Sequence, residues 1–384
     1  MKTPRLVSIS LLGLGLNALF NGVFILLIGR VSDSALLAQS MILWSGFFVA
    51  GACIAPFENY FLYRRMDGSD QYSKRRVLQT SSLLFLLVGF SISFTQDVSL
   101  WIFPLTMFVG ICTGYIVFFR SESIYQGELK RVSLSNVSEG LSRVASLIIL
   151  ITLFERITFL HILISYAVGN FASIVPYLRI KSKNRSAPSL LLPANKIFGF
   201  AVIGFFTALI TGGLPYLSGF FEPETIATIL FFFTLSRSLL ILQSVLVYVK
   251  PGWAKAFGSE NSLNKVLVYS FVSSIVTFLM LSIVKFGIGL FLDVDLSSIS
   301  IVDTIYFSLA LVASAFFSLK IATQNVSSNW GRAAAAGVVG FSAACLTFAF
   351  IDSAVNSFYG AMIIGPLAGT IYLSYSSRRR ETSE

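Results

Sequence analysis

The stretch "RIKSKNRSAPSLLLPANK", residues 179–196, is the longest polar connection in the chain and falls at the midpoint of its 384 residues. It carries five basic residues and no acid. Apolar runs of spanning length flank it on both sides. They lie at about 6–28, 36–57, 77–95, 99–119, 136–154 and 158–178 before it, and at about 197–217, 225–249, 264–291, 300–322, 332–351 and 354–374 after it. The expected fold is therefore an all-α integral membrane protein: twelve transmembrane helices, as two six-helix halves around a central cleft. The halves run over residues 1–180 and 197–377, joined by the linker at 181–196 and followed by a basic tail at 378–384.

Composition leaves little room for another class. The chain is 55% hydrophobic and 12% charged, with a mean hydropathy of +0.80. No soluble domain has enough interior to hide that much apolar surface. The apolar run at the N-terminus is too long for the core of a typical signal peptide and is followed at once by further spans, so it is taken as the first helix.

Charge placement fixes the expected topology. One set of alternate connections holds 23 of the 28 basic residues, from Lys2 and Arg5 through the 179–196 linker to Arg378, Arg379 and Arg380. The other set carries Arg30, Arg156 and Lys285 against nine acids, among them Asp33, Asp293, Asp303 and Asp352. Basic connections stay in the cytoplasm, which puts both termini there and the protein in the cytoplasmic membrane. The formal charge of +10 is then topology and anionic-lipid contact rather than a nucleic-acid footprint. A faint echo between the halves, "KRRVLQTSSLLFLLVGFSISF" from Lys74 and "LNKVLVYSFVSSIVTFLMLSI" from Leu263, fits an internal duplication.

Two basic residues remain, and both sit inside spans. Arg237 lies in "ILFFFTLSRSLLILQSVLVYV" at 229–249, roughly a dozen residues from either end of the 225–249 span. Thr234 shares its helical face. In the fifth span, "NVSEGLSRVAS" aligns Asn136, Glu139, Arg143 and Ser146 on one face. An arginine at the bilayer centre costs about 2.5–3.5 kcal/mol on insertion scales, so these faces should turn inward, towards a cavity or a partner helix. Glu139 and Arg143 are four apart in the favourable order, so they either form an internal ion pair or line the cleft together. Asn17 and Asn21 on the first span, and Tyr166 and Asn170 on the sixth, complete the candidate binding residues; isolated Asn side chains in membrane helices also serve as helix-to-helix hydrogen bonds. Unpaired guanidinium groups in a low-dielectric cleft select phosphate, pyrophosphate or carboxylate.

Enzymatic chemistry finds no foothold in the sequence. There is no phosphate-binding glycine loop and no metal-ligand spacing, and His161 is the single histidine. Cys53, Cys112 and Cys345 lie far apart within apolar runs, as packing residues. The expectation is a protein that is not an enzyme and needs no cofactor.

Two segments carry a resemblance. "GLPYLSGFFEPETIATILFFFTLSRSLLILQSVLVYVKPGWAKAF" at 213–257 and "GYIVFFRSESIYQGELKRVSLSNVSEGLSRVASLIIL" at 114–150 resemble the seventh-to-eighth and fourth-to-fifth span regions of O-antigen-type flippases. These form the polysaccharide-export branch of the multidrug/oligosaccharidyl-lipid/polysaccharide exporter superfamily. The resemblance implies translocation of a lipid-pyrophosphate-linked oligosaccharide by alternating access, with Arg143 and Arg237 holding the anionic headgroup. It implies as partners a polyprenyl-pyrophosphate-linked glycan, membrane lipids and the glycan polymerase machinery, and a monomer that binds no nucleic acid. At 384 residues the chain is shorter than most such proteins. A small-molecule exporter is the alternative, either of the same superfamily or of the major-facilitator type. The second-to-third span loop "YRRMDGSDQYSKRR" lacks the Gly-x-x-x-Asp-Arg core expected of a facilitator. A membrane glycan polymerase or ligase is a third reading, disfavoured by short, net acidic outer loops.

The topology makes a direct prediction. Green fluorescent protein fused after Glu384 should fluoresce, and alkaline phosphatase at the same point should be inactive. The opposite pair of results would invert the orientation.

Overall fold

The structure, a computed structural model, describes residues 3–66, 74–95, 100–126, 128–178, 202–210, 231, 234, 275, 279, 282, 300–326, 330–351 and 354–381. Its regular elements are helical, and the described residues contain no strand. In chain order they are α1 (Thr3–Val31), α2 (Ser34–Met66), α3 (Lys74–Thr95), α4 (Ile102–Tyr125), α5 (Leu129–Leu153) and α6 (Phe159–Ile174). A single 3₁₀ turn, Val175–Tyr177, follows α6. Residues 202–210 are helical, and the chain continues with α7 (Ile301–Val326), α8 (Trp330–Phe350) and α9 (Ala354–Glu381).

Seven of the described helices are long and apolar enough to cross a bilayer. With the fold they form, this makes the protein a multi-pass membrane protein. The expected first to sixth and tenth to twelfth spans coincide with α1–α6 and α7–α9. The eighth and ninth spans lie almost wholly outside the described residues.

Several helices outrun their apolar runs. α2 continues through Pro56 to Met66, and α9 carries Pro366 within it and runs on through Arg378, Arg379 and Arg380. Hydropathy finds where lipid begins, whereas a helix can continue into water as long as its backbone stays paired. Helix starts are written in polar residues. Asp33 Oδ1 accepts the Leu36 N–H at 2.8 Å ahead of α2. Ser300 and Asp303 form a reciprocal cap at α7: the Ser300 N–H donates to Asp303 Oδ2 at 2.6 Å, and the Asp303 N–H to Ser300 Oγ at 3.1 Å. His161 does the same for α6, its Nδ1 accepting the Thr158 N–H at 3.2 Å. The lone histidine is thus used as a helix cap.

Packing divides the described chain into two groups. α5 lies between α1 and α6, α4 packs on α3 and α6, and α2 crosses against α3 and α4. In the second group α9 packs on both α7 and α8. The groups meet in one apolar cluster, in which Phe24, Ile25 and Ile28 of α1, Met41 of α2 and Leu147 of α5 pack with Phe231, with Phe307 and Leu311 of α7, and with Phe358 and Met362 of α9. These residues sit towards the end of α1 and the start of α9, remote along both helices from the chain termini. A second meeting point joins Val49 and Cys53 of α2 to Ala208 and Leu209.

α5 is turned inside out relative to a helix in water. Leu134, Leu141 and Ile148, spaced by seven, are exposed where lipid would lie, while Ser133, Asn136, Gly140, Arg143 and Leu147 are buried. Its neighbours approach closely because the contact positions are small. A Cβ added at Gly140 would come within 2.7 Å of Asn17 Oδ1 and Phe20 Cβ on α1. One added at Gly169 on α6 would come within 2.8 Å of the Glu139 carbonyl oxygen and 2.9 Å of Arg143 Cβ. Side-chain hydrogen bonds to backbone tighten the same seams: Ser135 Oγ on α5 donates to the Ser173 carbonyl on α6 at 2.7 Å, and Ser81 Oγ on α3 to the Gly110 carbonyl on α4 at 2.5 Å.

Gly169→Val should therefore force α5 and α6 apart and lower the thermal unfolding midpoint in detergent, at a cost of about 1–3 kcal/mol. Gly15→Val, where an added Cβ meets nothing within 4 Å, is the matched control. Equal midpoints for the two variants would contradict the packing described.

Candidate functional site: a caged arginine in the membrane

Arg143 is 1% exposed and is the bulkiest of the fully buried side chains. It stands roughly 15–20 Å from each end of α5, deep in the hydrocarbon layer. No arginine reaches water by snorkelling from there, so the protein must supply its partners.

Four helices do so. Nη1 donates to Asn21 Oδ1 on α1 at 2.6 Å. Nη2 donates to Glu139 Oε1, one turn back on α5, also at 2.6 Å. Three rings surround the guanidinium carbon: Tyr166 of α6 at 4.0 Å, Trp44 of α2 at 5.2 Å and Phe24 of α1 at 5.8 Å from their centroids. In a desolvated site such cation–π contacts reach about 2 kcal/mol each. The rings hold one another too: Tyr166 meets Trp44 edge-on at 5.4 Å and Phe47 at 4.7 Å.

The cage is not complete. Arg143 Nε is buried with no hydrogen-bond partner among the described residues, as is Asn17 Oδ1 one turn below Asn21. Glu139 is less enclosed than its partner, its side chain 17% exposed against 1% for Arg143. A buried charge is tolerated only when paired and hydrogen-bonded, and this one has a neutralising carboxylate, an amide and three π faces, with one nitrogen, Nε, left without a hydrogen-bond partner among the described residues.

The structure thus brings together four of the residues singled out from sequence: Arg143, Glu139, Asn21 and Tyr166. Asn17 borders the group at the α1–α5 contact. Asn170 is buried one turn beyond Tyr166, and its Nδ2 donates to the Tyr166 carbonyl at 3.0 Å, so it is engaged within its own helix. Thr234 is helical and buried. Arg237 lies outside the described residues. Of the two relations open for Glu139 and Arg143, the ion pair is the one formed. Trp44 and Phe24 were not anticipated, since one aromatic ring in an apolar run looks like any other.

No protein-family model matches the sequence, and no curated protein matches it. Solved structures do share the fold. Similar ones include the eukaryotic MATE transporter AtDTX14, with a TM-score of 0.65 at 14% identity over 98% of this chain and 95% of that one. A mutant of the Vibrio cholerae MATE transporter VcmN superimposes with a TM-score of 0.54 at 10% identity, over 98% and 97% of the two chains. A MOP-superfamily transporter from Pyrococcus furiosus, for which a binding pocket of reversed polarity suggests a different function, gives 0.56 at 12% identity over 98% and 95%. These structural neighbours are transporters rather than enzymes. At such identities the likeness is one of fold, and it covers nearly the whole chain.

Asn21→Leu should leave Nη1 buried without an acceptor and destabilise the protein by about 1–3 kcal/mol, seen as a lower unfolding midpoint in detergent. Asn21→Asp, which restores an acceptor, should lose less. An Asn21→Leu midpoint equal to that of the unsubstituted protein would show that the hydrogen bond contributes nothing.

Proposed function

We propose that the chain is an exporter that works by alternating access, and that it carries a lipid-linked oligosaccharide with a pyrophosphate headgroup. The observation that carries the reading is the Arg143 guanidinium, buried at mid-membrane and held by partners from four helices. A merely structural residue at that depth would be far cheaper as a leucine or a serine. A pyrophosphate headgroup must leave water to cross about 30 Å of hydrocarbon, and a buried guanidinium with neutral polar neighbours replaces the lost solvation. The transporter fold shared with the MATE structures supports export over chemistry on the glycan. The lipid tail can remain in the bilayer while the sugar passes between the two halves.

The closed apolar cluster between the groups of helices gives the reading a direction. With both termini in the cytoplasm, that cluster lies on the outer side, and the carrier is shut outward. The headgroup would then enter from the cytoplasmic side, where a lipid-linked precursor is assembled.

A small-molecule exporter is the second reading, favoured by one observation: similar structures include multidrug resistance transporters of the same fold. A carboxylate inside a span, as at Glu139, also suits a cation-coupled drug exporter.

Arg237→Ala should abolish surface glycan in cells while membrane protein levels stay unchanged, and Arg143→Ala should abolish it beyond any fall in protein level. Glycan staining alongside immunoblotting checks this. Normal glycan in both variants sinks the anion-site assignment, and export of cationic dyes lost in parallel would move the function to the second reading.

A further inference from the structure

We propose that Glu139 is an internal competitor for the substrate anion: it occupies the Arg143 guanidinium in the resting carrier and must be displaced before the anion can bind. The proposal rests on the anionic-substrate reading above and adds to it how the site is regulated.

The geometry of the guanidinium carries it. Nε and Nη2 point along one edge of the group and together form the fork that carboxylate and phosphate oxygens bind in pairs. Nη1 lies on the far side and is taken by Asn21, at 2.6 Å. On the fork itself Glu139 fills only half, through one 2.6 Å bond to Nη2, while Nε is buried and unpartnered among the described residues. Gly169 of α6 packs against this edge, where an added Cβ would stand 3.2 Å from Nε. A phosphate can satisfy both fork atoms at once, which Glu139, held to its own helix one turn away, does not do. The fork is therefore filled well enough to keep the charge neutral in lipid and badly enough to be exchanged.

Glu139 is also the member able to leave. Its side chain is the more exposed of the pair, and among the described residues the bond to Arg143 is the one that ties its carboxylate. Around the guanidinium, α1 presents Asn21 and Phe24, α2 presents Trp44, and α6 presents Tyr166. Among the described residues that face it, Glu139 is thus the one carboxylate, and it is the group an incoming anion has to replace.

The test is equilibrium binding of farnesyl pyrophosphate and of inorganic pyrophosphate to the full chain in nanodiscs at pH 8, as wild type and as Glu139→Gln. The amide oxygen of Gln can still accept from Nη2, so the variant keeps the cage. Glu139→Gln should bind at least about tenfold more tightly, since a desolvated charge pair is worth more than one factor of ten. Tightening with both probes assigns the site to the anion alone, and tightening with only the prenylated probe assigns it to a lipid-linked headgroup; either supports the competition. Equal affinities overturn it while leaving the anion site standing. Binding by neither protein overturns both.

Discussion

A guanidinium in the middle of a bilayer is a constraint that the surrounding helices must meet together. Arg143 has no water to turn to, so α1, α2, α5 and α6 each deliver a group to it: an amide from Asn21, a carboxylate from Glu139, and π faces from Phe24, Trp44 and Tyr166. None of these can move far without uncovering a charge in a medium that does not solvate it. The relative placement of four helices is thus tied to one side chain. Apolar packing alone would not do this, because lipid tails satisfy leucine and phenylalanine as well as protein does.

The helix that carries the arginine is built for the task. One stripe of α5 is lipid-facing leucine and isoleucine; the opposite stripe is serine, asparagine, glycine and arginine. Where a bulky apolar residue would have kept the neighbours away, Gly140 and Gly169 let α1 and α6 close in, which brings Asn21 and Tyr166 within reach of the charge. Small residues and the polar site are therefore one design: the first sets the distance that the second needs.

Much of this could be seen in the sequence, for identifiable reasons. Apolar length and the alternation of basic connections exposed the membrane class and most helix positions, because transfer free energy and topology act on local composition. Arg143 stood out because its cost in lipid demands an explanation wherever the helix happens to pack, and Glu139 because i,i+4 neighbours meet on any helix. Asn21 could be flagged as a buried polar residue, but its partner lies 122 residues away, a relation that no periodicity encodes. The aromatic members were illegible for a different reason. With 37 phenylalanines and 14 tyrosines in the chain, a ring that faces a cation carries no mark that distinguishes it from one that faces lipid. Helix ends lie outward of the apolar runs, since Arg378–Arg380 and the residues after Pro56 continue the hydrogen-bond ladder past the point where hydropathy fails.

Phe24 belongs to two structures at once. One side of its ring lies over Arg143; the residue is also fully buried in the apolar seam where the two groups of helices meet, against partners that include Phe231, Phe307 and Phe358. Interiors packed to crystal density do not absorb the displacement of such a residue locally. A change in what the arginine holds is felt at the seam with no intervening relay, and a seam that parts takes one wall of the cage with it. The partner of the arginine and the closure of the seam are, for this chain, two descriptions of where a single phenyl ring sits.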